Sequence, residues 1–499
     1  MRVLHAIHDF LPRHQAGSEI YCFELCRALQ ARGVGVHVLC AEYDPAREHG
    51  LLAWRAHDGL GVTEVINNWA FTSFAESYAS PLLGRRLGQV LDIVQPDVLH
   101  IHNLLNLSFE LPSLARERGI PVVATLHDYT LVCPSGGQRV HLAEQHVCHT
   151  IDTGRCSRCF PQHPLHAQLV FGRTVLARPG GSRAARLLNS VRRRLPRAHP
   201  AVGALRRAAE RAAAPPLGAR DVDLRLARAR SVFDAVDLFV APSPALATEY
   251  RRLGLPAAKL CVSDYGFPPL GPLGSLGPVG PAGLGPVGPV GLGPVGPVGP
   301  LGSRRLPRRE RRAGPLRVGF AGTLVWHKGV HVLIDAMRQL PPDACELLVF
   351  GDPEVFPDYA AGLRRRSAGL GVRFMGRFDR AAAPAVYAQM DVLAVPSLWP
   401  ENSPLVIHEA FQAGLPVVGS RLGGTADLVA DGTSGLLYEA FSAADLAAAL
   451  GRLLDEPGLL DRLAAGVPAV KSIDQDARDW EERYRRLAPA REAAREAAP

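Results

Sequence analysis

Short apolar runs alternate with longer stretches of helical periodicity along most of the chain. The runs at 2–7 (RVLHAI), 36–40, 97–101 and 121–126 read as buried strands; a loop carrying Gly17-Ser18-Glu19 leads into an amphipathic helix that ends at about Ala31, and 111–118 reads as another. Strand, helix and strand follow at 237–241, 244–254 and 259–263. A second series begins at 316–321, continues through a helix at 330–340, and adds strands at 345–350, 372–375, 391–396 and 416–420. Strands alternating with helices predict a parallel sheet wound on both faces, and the pattern occurs twice. The expected domains are 1–267 and 316–499, the second ending in a helix that contains 481–487 (EERYRRL).

Between them lies a segment of a different kind. Residues 271–302 hold twelve Gly in thirty-two, mostly as Gly-Pro-Val, with the triplet register broken at 283–285 and again at 291–293. Strict Gly-X-Y would favour a collagen triple helix; two breaks favour a flexible or polyproline-like linker, here 268–315 with a basic hinge at 304–312.

Composition narrows the class. With 499 residues, 47% hydrophobic and 21% charged, the chain suits a soluble globular protein with more than one core. No run of eighteen apolar residues occurs and the first ten residues read as a strand rather than a signal peptide, so the expected location is cytoplasmic. Nine cysteines, with Cys22, Cys26, Cys40 and Cys345 on apolar faces, fit a reducing compartment. The net charge of +8 is uneven: 162–230 carries fifteen Arg against three acids, a local +12, which leaves about −4 elsewhere. That basic helical insertion reads either as a face for anionic lipid headgroups, which would make the protein peripheral at the inner face of a membrane, or as a solvated helix surface. Nucleic acid is disfavoured, because no aromatic residues interleave the arginines as stacking platforms.

The candidate chemistry concentrates at 396–414. Ser403 reads as an N-cap, Pro404 as the first helical residue before Leu405, and Gly414 as the stop, so Glu401 lies in a loop after a strand and Glu409 in the following helix. The turn Gly322-Thr323 through Lys328-Gly329, between strand and helix, can hold a diphosphate on backbone amides and an ammonium. Gly17 sits at another strand-to-helix turn, where a phosphate site and a plain capped turn are both open readings. His127 ends a central strand, where a ligand crevice or a structural role would place it. Cys133, Cys148, Cys156 and Cys159 could bind a structural zinc, with His141, His146 and His149 as spare ligands, or remain free or redox-active thiols.

Taken together, Glu401 and Glu409 at E-x7-E spacing, Ser403-Pro404-Leu405 between them, the 322–329 loop, the Gly17 turn and His127-Asp128 resemble family 4 of the retaining glycosyltransferases. The resemblance covers about 1–267 and 316–487. It implies an α/β GT-B fold, two doubly wound Rossmann-like domains facing across a cleft, and a hexosyltransferase that moves sugar from a nucleotide-sugar donor, UDP- or GDP-linked, to a glycan or lipid-linked acceptor in cell-envelope or exopolysaccharide biosynthesis. No cofactor would be obligatory for catalysis. By the same resemblance Lys328 would neutralise the donor diphosphate, amides near Ser403, Pro404 and Leu405 would hold phosphate, Glu409 would bind the ribose, and Glu401 and His127 would contact the transferred sugar. Gly17, Gly322 and Thr323 would line the donor; many relatives carry Arg where this chain has Thr323, which leaves more of the diphosphate charge to Lys328. Two other readings stand beside it: an epimerase or phosphorylase on the same fold, and a non-catalytic scaffold organised by the Gly-Pro-Val segment.

Overall fold

The computed structural model describes residues 1–141, 144–176, 217–270 and 314–488. The Gly-Pro-Val segment, the basic hinge and the Arg192–Arg194 cluster lie outside the described residues. The chain divides into two compact units. One joins 1–266 to the chain from Ile473 onward; the other runs from Phe267 to Ser472.

In the first unit the strands are β1 (Arg2–Ile7), β2 (Gly35–Glu42), β3 (Leu52–His57), β4 (Leu60–Ile66), β5 (Val98–Ile101) and β6 (Val122–Thr125). After the short ribbon β7 (Val140–His141) and β8 (His146–Val147) come β9 (Leu238–Ala241) and β10 (Leu260–Val262). The main sheet has the order β10-β9-β6-β5-β1-β2-β4-β3 and is parallel except where β3 folds back on β4. Alternate residues of β1 and β2 serve opposite faces: Leu4, Ala6, Leu39 and Ala41 join one core, Ile7, Val38 and Cys40 the other. Such two-sided burial is what near-continuous apolar strands require.

The second unit carries β11 (Leu316–Ala321), β12 (Cys345–Phe350), β13 (Val372–Gly376), β14 (Val392–Val395), β15 (Val417–Ser420) and β16 (Gly435–Tyr438). Their order is β13-β12-β11-β14-β15-β16, parallel throughout. Again Val318 and Phe320 point to one core and Ala321 to the other, as do Leu347 and Val349 against Leu348 and Phe350.

The last helix, Ile473–Leu487, belongs to the first unit and not, as its position in sequence suggests, to the second. Its aromatic stripe decides this. Trp480 Nε1 donates to Tyr21 Oη at 3.0 Å, Tyr21 Oη donates to Asp476 at 2.8 Å, and Tyr484 Oη meets His100 Nδ1 at 2.6 Å. Trp480 and Tyr484 are fully buried there, and burying two such rings contributes several kcal/mol, roughly 1.5–3 each.

The basic segment also differs from a uniformly outward Arg face. In the helix Ala219–Ala235, Arg225 is buried and donates to the carbonyls of Thr130 and Leu131, while Arg228 pairs with Glu110. Among the described residues no helix is long and apolar enough to cross a membrane.

Candidate functional site

The site in the second unit is built on loops that leave the carboxyl ends of β11, β14 and β15. From β11 the chain passes through 322–325 and a single 3-10 turn, Trp326–Lys328, to Gly329. Gly329 has φ +72, and a Cβ there would stand 1.8 Å from the carbonyl oxygen of Pro396. Only glycine allows the two loops to touch. The Leu398 amide donates to the His327 carbonyl at 2.8 Å, which locks the same pair of loops. On the other side Gly424 donates its amide to the Glu401 carbonyl at 2.6 Å, and a Cβ on it would lie 2.1 Å from the Asn402 oxygen.

Held this way, Lys328 Nζ donates to Glu401 Oε1 at 2.6 Å, and Ser397 Oγ donates to the same oxygen, also at 2.6 Å. The ammonium stands 5.5 Å from the centre of the Trp399 ring. Glu401 is 7% exposed. Burial pushes its carboxyl up, but the Lys328 charge with the hydrogen bonds from Lys328 and Ser397 outweighs this and holds it below the ordinary carboxylate range. His327 is pushed down to about 4, by burial first and then by Lys328, so the imidazole is neutral and adds no charge beside the ammonium.

The following helix begins one residue later than expected. It spans Leu405–Gln412, with Pro404 as the extended residue before it, and no side chain caps it. Ser403 is therefore not the cap; its hydroxyl lies 2.9 Å from His408 Nε2. The first amides of this helix have no partner within it, as at any helix start. Glu409 accepts from Tyr387 Oη at 2.6 Å through Oε2. Burial raises its pKa, against the lowering effect of that bond and of Arg380. Glu401 and Glu409 thus have separate partners and share no proton. Gly322 donates its amide to Phe350 at the end of β12, and Thr323 is exposed.

In the first unit, Gly17 is the first residue of the helix Gly17–Ala31, so the Gly17-Ser18-Glu19 triplet is a helical turn, not a loop before it. Glu19 is buried there, 3.3 Å from His8 Nε2 and bonded by Ser18 Oγ. His127 is wired into a chain of imidazoles that the sequence reading missed. His5 Nδ1 meets His102 Nε2 at 3.0 Å, His102 Nδ1 meets His127 Nε2 at 3.0 Å, and His127 Nδ1 meets Tyr265 Oη at 2.7 Å. Burial drives the pKa values of His100 and His102 well down and that of His127 to about 3, so these rings are neutral at physiological pH. Both ring nitrogens of His127 are in use, and a ligand hydrogen bond requires one of them to be released. The signal was present: His100-x-His102 alternates on β5 and beyond, and His5 pairs with His100 in register across β1.

Cys133, Cys148, Cys156 and Cys159 are free thiols that line one small cavity. Burial, then the neighbouring thiols, pushes Cys148 up to about 11 and Cys156 up to about 12.

Family models match both halves: "Glycosyltransferase Family 4" over residues 16–153 and "Glycosyl transferases group 1" over residues 315–456. Each half of the chain thus matches a glycosyltransferase domain model, the first half that of family 4. Among its relatives is a phosphatidyl-myo-inositol mannosyltransferase of Mycobacterium leprae, 36% identical over 30% of this chain and 39% of the relative. An alpha-D-kanosaminyltransferase of Streptomyces kanamyceticus is 31% identical over 30% of this chain and 40% of its own. The match therefore spans about two fifths of the length of these relatives. Among solved structures, Anabaena HepE in complex with UDP and glucose aligns over 97% of this chain and 99% of that one, with a TM-score of 0.58 and 17% identity. Sucrose-phosphate synthase from Thermosynechococcus elongatus aligns over 98% and 99%, with a TM-score of 0.60 and 17% identity. The fold is GT-B, with a doubly wound sheet in each unit that is parallel apart from the β3–β4 pair.

Proposed function

We propose that this chain is a retaining glycosyltransferase that takes a hexose from a nucleotide-sugar donor, UDP- or GDP-linked, and passes it to a glycan or lipid-linked acceptor of envelope or exopolysaccharide biosynthesis. The observation that carries the reading is the buried Glu401 held ionised by Lys328 and Ser397 at the carboxyl ends of β11 and β14. Ligands of open parallel sheets bind at such strand ends. In this reading the Lys328 ammonium turns from Glu401 toward the donor diphosphate as leaving-group charge develops, and the amides at the start of Leu405–Gln412 share that charge. Glu401 faces the developing oxocarbenium sugar, whose positive charge it stabilises and which takes over from Lys328 in keeping the carboxylate ionised. Glu409, with Oε2 held by Tyr387, offers Oε1 to the ribose hydroxyls. Thr323 supplies no second cation, so Lys328 is the main counter-charge. UDP in the HepE structure and the mannosyltransferase and kanosaminyltransferase names of the relatives favour this donor and reaction class. No step calls for a metal.

The test is a mass-spectrometric screen of UDP-, GDP- and ADP-sugars for transfer and slow hydrolysis, with the product anomer read by NMR. Glu401→Ala and Lys328→Ala should each lower turnover about 10²–10³-fold, the range seen when one preorganised transition-state partner is lost. Equal turnover by Glu401→Ala would remove the assignment, and an inverted anomer would remove retention.

A further inference from the structure

We infer that the segment 128–162 of the first unit is a metal-stapled module in which Cys133, Cys148, Cys156 and Cys159 bind one zinc ion as a tetrathiolate. It rests on the first unit alone and not on the donor site.

Four thiols from three separate pieces of chain line one cavity. Its volume is ≈ 20 Å³, enough for a single water-sized body. Cys133 follows β6 in a turn closed by its own amide on the Tyr129 carbonyl at 2.7 Å. Cys148 follows the β7–β8 ribbon, and its amide donates to the Arg139 carbonyl at 2.8 Å. Cys156 and Cys159 stand one turn apart on the helix Thr153–Cys159, which Asp152 caps by accepting from the Arg155 amide at 2.9 Å. A C-x2-C pair on a short capped helix, with two further cysteines from flanking turns, is the donor arrangement of closed structural zinc sites.

The module has little regular structure of its own. Its sheet is a ribbon of two residues per strand and its helix has seven residues. Neither is stable in isolation. Anchoring comes from Leu131, Val132 and Phe160 in the main core with Cys133 and Ile151 packed against it, from the helix Thr153–Cys159 lying on Ala219–Ala235, and from the Arg139–Glu249 pair; a metal would add a bond among the turn, the ribbon and the helix themselves.

Charge points the same way. A zinc tetrathiolate carries a net −2. Arg139 and Arg155 line the cavity, and Arg225 lies within electrostatic reach of Cys133 and Cys156. Arg225 is 4% exposed and bonds to backbone carbonyls; no carboxylate among the described residues pairs with it. Arg139 pairs with Glu249 through Nη1, while its Nη2 is buried without an acceptor. Arg139 and Arg155 have carboxylate partners in Glu249 and Glu144, so Arg225 is the buried guanidinium to which a nearby tetrathiolate would bring a counter-charge.

No three of the four sulfur atoms lie within 4.8 Å of one another. Zn–S bonds of about 2.3 Å set the sulfurs roughly 3.8 Å apart, so binding draws the 133–137 turn and the ribbon in around the cavity. Four thiol protons pass to solvent as four Zn–S bonds form. The 133–137 turn reaches back to His127-Asp128: the Tyr129 amide donates to the Gly137 carbonyl at 2.9 Å. The metal thereby sets the rim beside His127.

The experiment uses the full chain purified under reducing conditions without chelator. Elemental analysis should give about one zinc per chain. Removing it and adding Co(II) should produce the visible ligand-field bands and near-ultraviolet sulfur-to-cobalt charge transfer of a tetrahedral thiolate site, with about four protons released per metal. Cys148→Ser and Cys156→Ser should each lower zinc to under about a tenth of an equivalent, while Cys261→Ser, a half-exposed cysteine elsewhere in the same unit, should leave it unchanged. Should a variant fail to fold, the cobalt spectrum and proton count of the unaltered chain still decide. Absence of metal, an octahedral oxygen-ligand cobalt spectrum, or disulfides among these four cysteines in non-reducing peptide maps would each overturn the assignment.

Discussion

Replacing Lys328 with Met tests the electrostatic core of the site, because it removes the charge and keeps the stem. In the native protein Lys328 Nζ and Glu401 Oε1 are 2.6 Å apart. At an effective dielectric of about 20 the gross attraction is about 6 kcal/mol, most of it offset by the desolvation of two charges. Deleting one partner of a buried pair typically costs about 3–5 kcal/mol. Lys328 is 28% exposed and Ser397 still donates to the carboxylate, so the expected loss at pH 8 is about 2 kcal/mol. The pH dependence is the sharper signature. In the native chain the Glu401 pKa is depressed; its contribution is present above the unfolded value near 4.5 and is lost as pH falls through the folded one. In Lys328→Met the largest remaining influence is burial, which raises the pKa. The contribution is then present below about 4.5 and lost as pH rises through the folded value. The stability gap between the two proteins should therefore widen from pH 4 to pH 8, as read by urea unfolding at each pH. A gap that stays constant across that range would refute the coupling of Glu401 to Lys328.

Gly329→Ala forces a Cβ onto the Pro396 oxygen at φ +72 and should destabilise by roughly 2–4 kcal/mol, within the range for strained or overpacked sites, seen as a lower melting temperature of the second unit; an unchanged value would show that the two loops are not locked together. Tyr387→Phe removes the donor to Glu409 and should cost about 1–2 kcal/mol. That bond lowers an already raised pKa, so the loss should be greater at pH 7 than at pH 4, where Glu409 is protonated in both proteins. In the first unit, His100, His102 and His127 stay neutral in the fold but protonate near 6.5 when unfolded. Their contribution is full above 6.5 and declines as pH falls, by about 2 kcal/mol per histidine at pH 5, and a flat urea stability profile between pH 7.5 and pH 5 would contradict the buried chain.

Much of the sheet topology was legible because both units bury their strands on two faces. Short, mainly apolar runs such as 316–321 and 345–350, rich in Val, Leu and Phe, read as buried strands by their length and composition, and the strands there have those bounds. The β3–β4 hairpin escaped notice although its turn, Asp58-Gly59, has φ values of 49 and 80 at its two central residues, the conformation that Asp-Gly favours in a hairpin. β3 has no buried position while β4 is almost wholly buried, so the apolar alternation of β3 is faint. Helix Pro81–Val94 has a Ser80 cap and Pro at its start, a local signal that was available and unused. The ownership of the last helix was not local at all: it depends on Trp480 and Tyr484 finding Tyr21 and His100, more than 380 residues away in sequence.

The site divides along the same line. Glu401, Lys328 and the glycine turns could be read from spacing, because each lies in a short loop whose neighbours in sequence fix its place at a strand end. Ser397, Tyr387 and Trp399 could not, since they act through contacts across loops: Ser397 shares an oxygen of Glu401 with Lys328, and Tyr387 reaches Glu409 from another helix. His127 shows what such hidden partners change. Position alone presents it as a free imidazole at a strand end, yet His102 and Tyr265 occupy its two nitrogens. A neutral ring fixed on both sides is a poor general base, because accepting a proton would require breaking a buried bond in a site that already pushes its pKa to about 3. What the network supplies is a fixed placement of His127 between His102 and Tyr265, so the role toward a sugar that fits it is one of orientation, in keeping with the charge stabilisation proposed for Glu401 and Lys328.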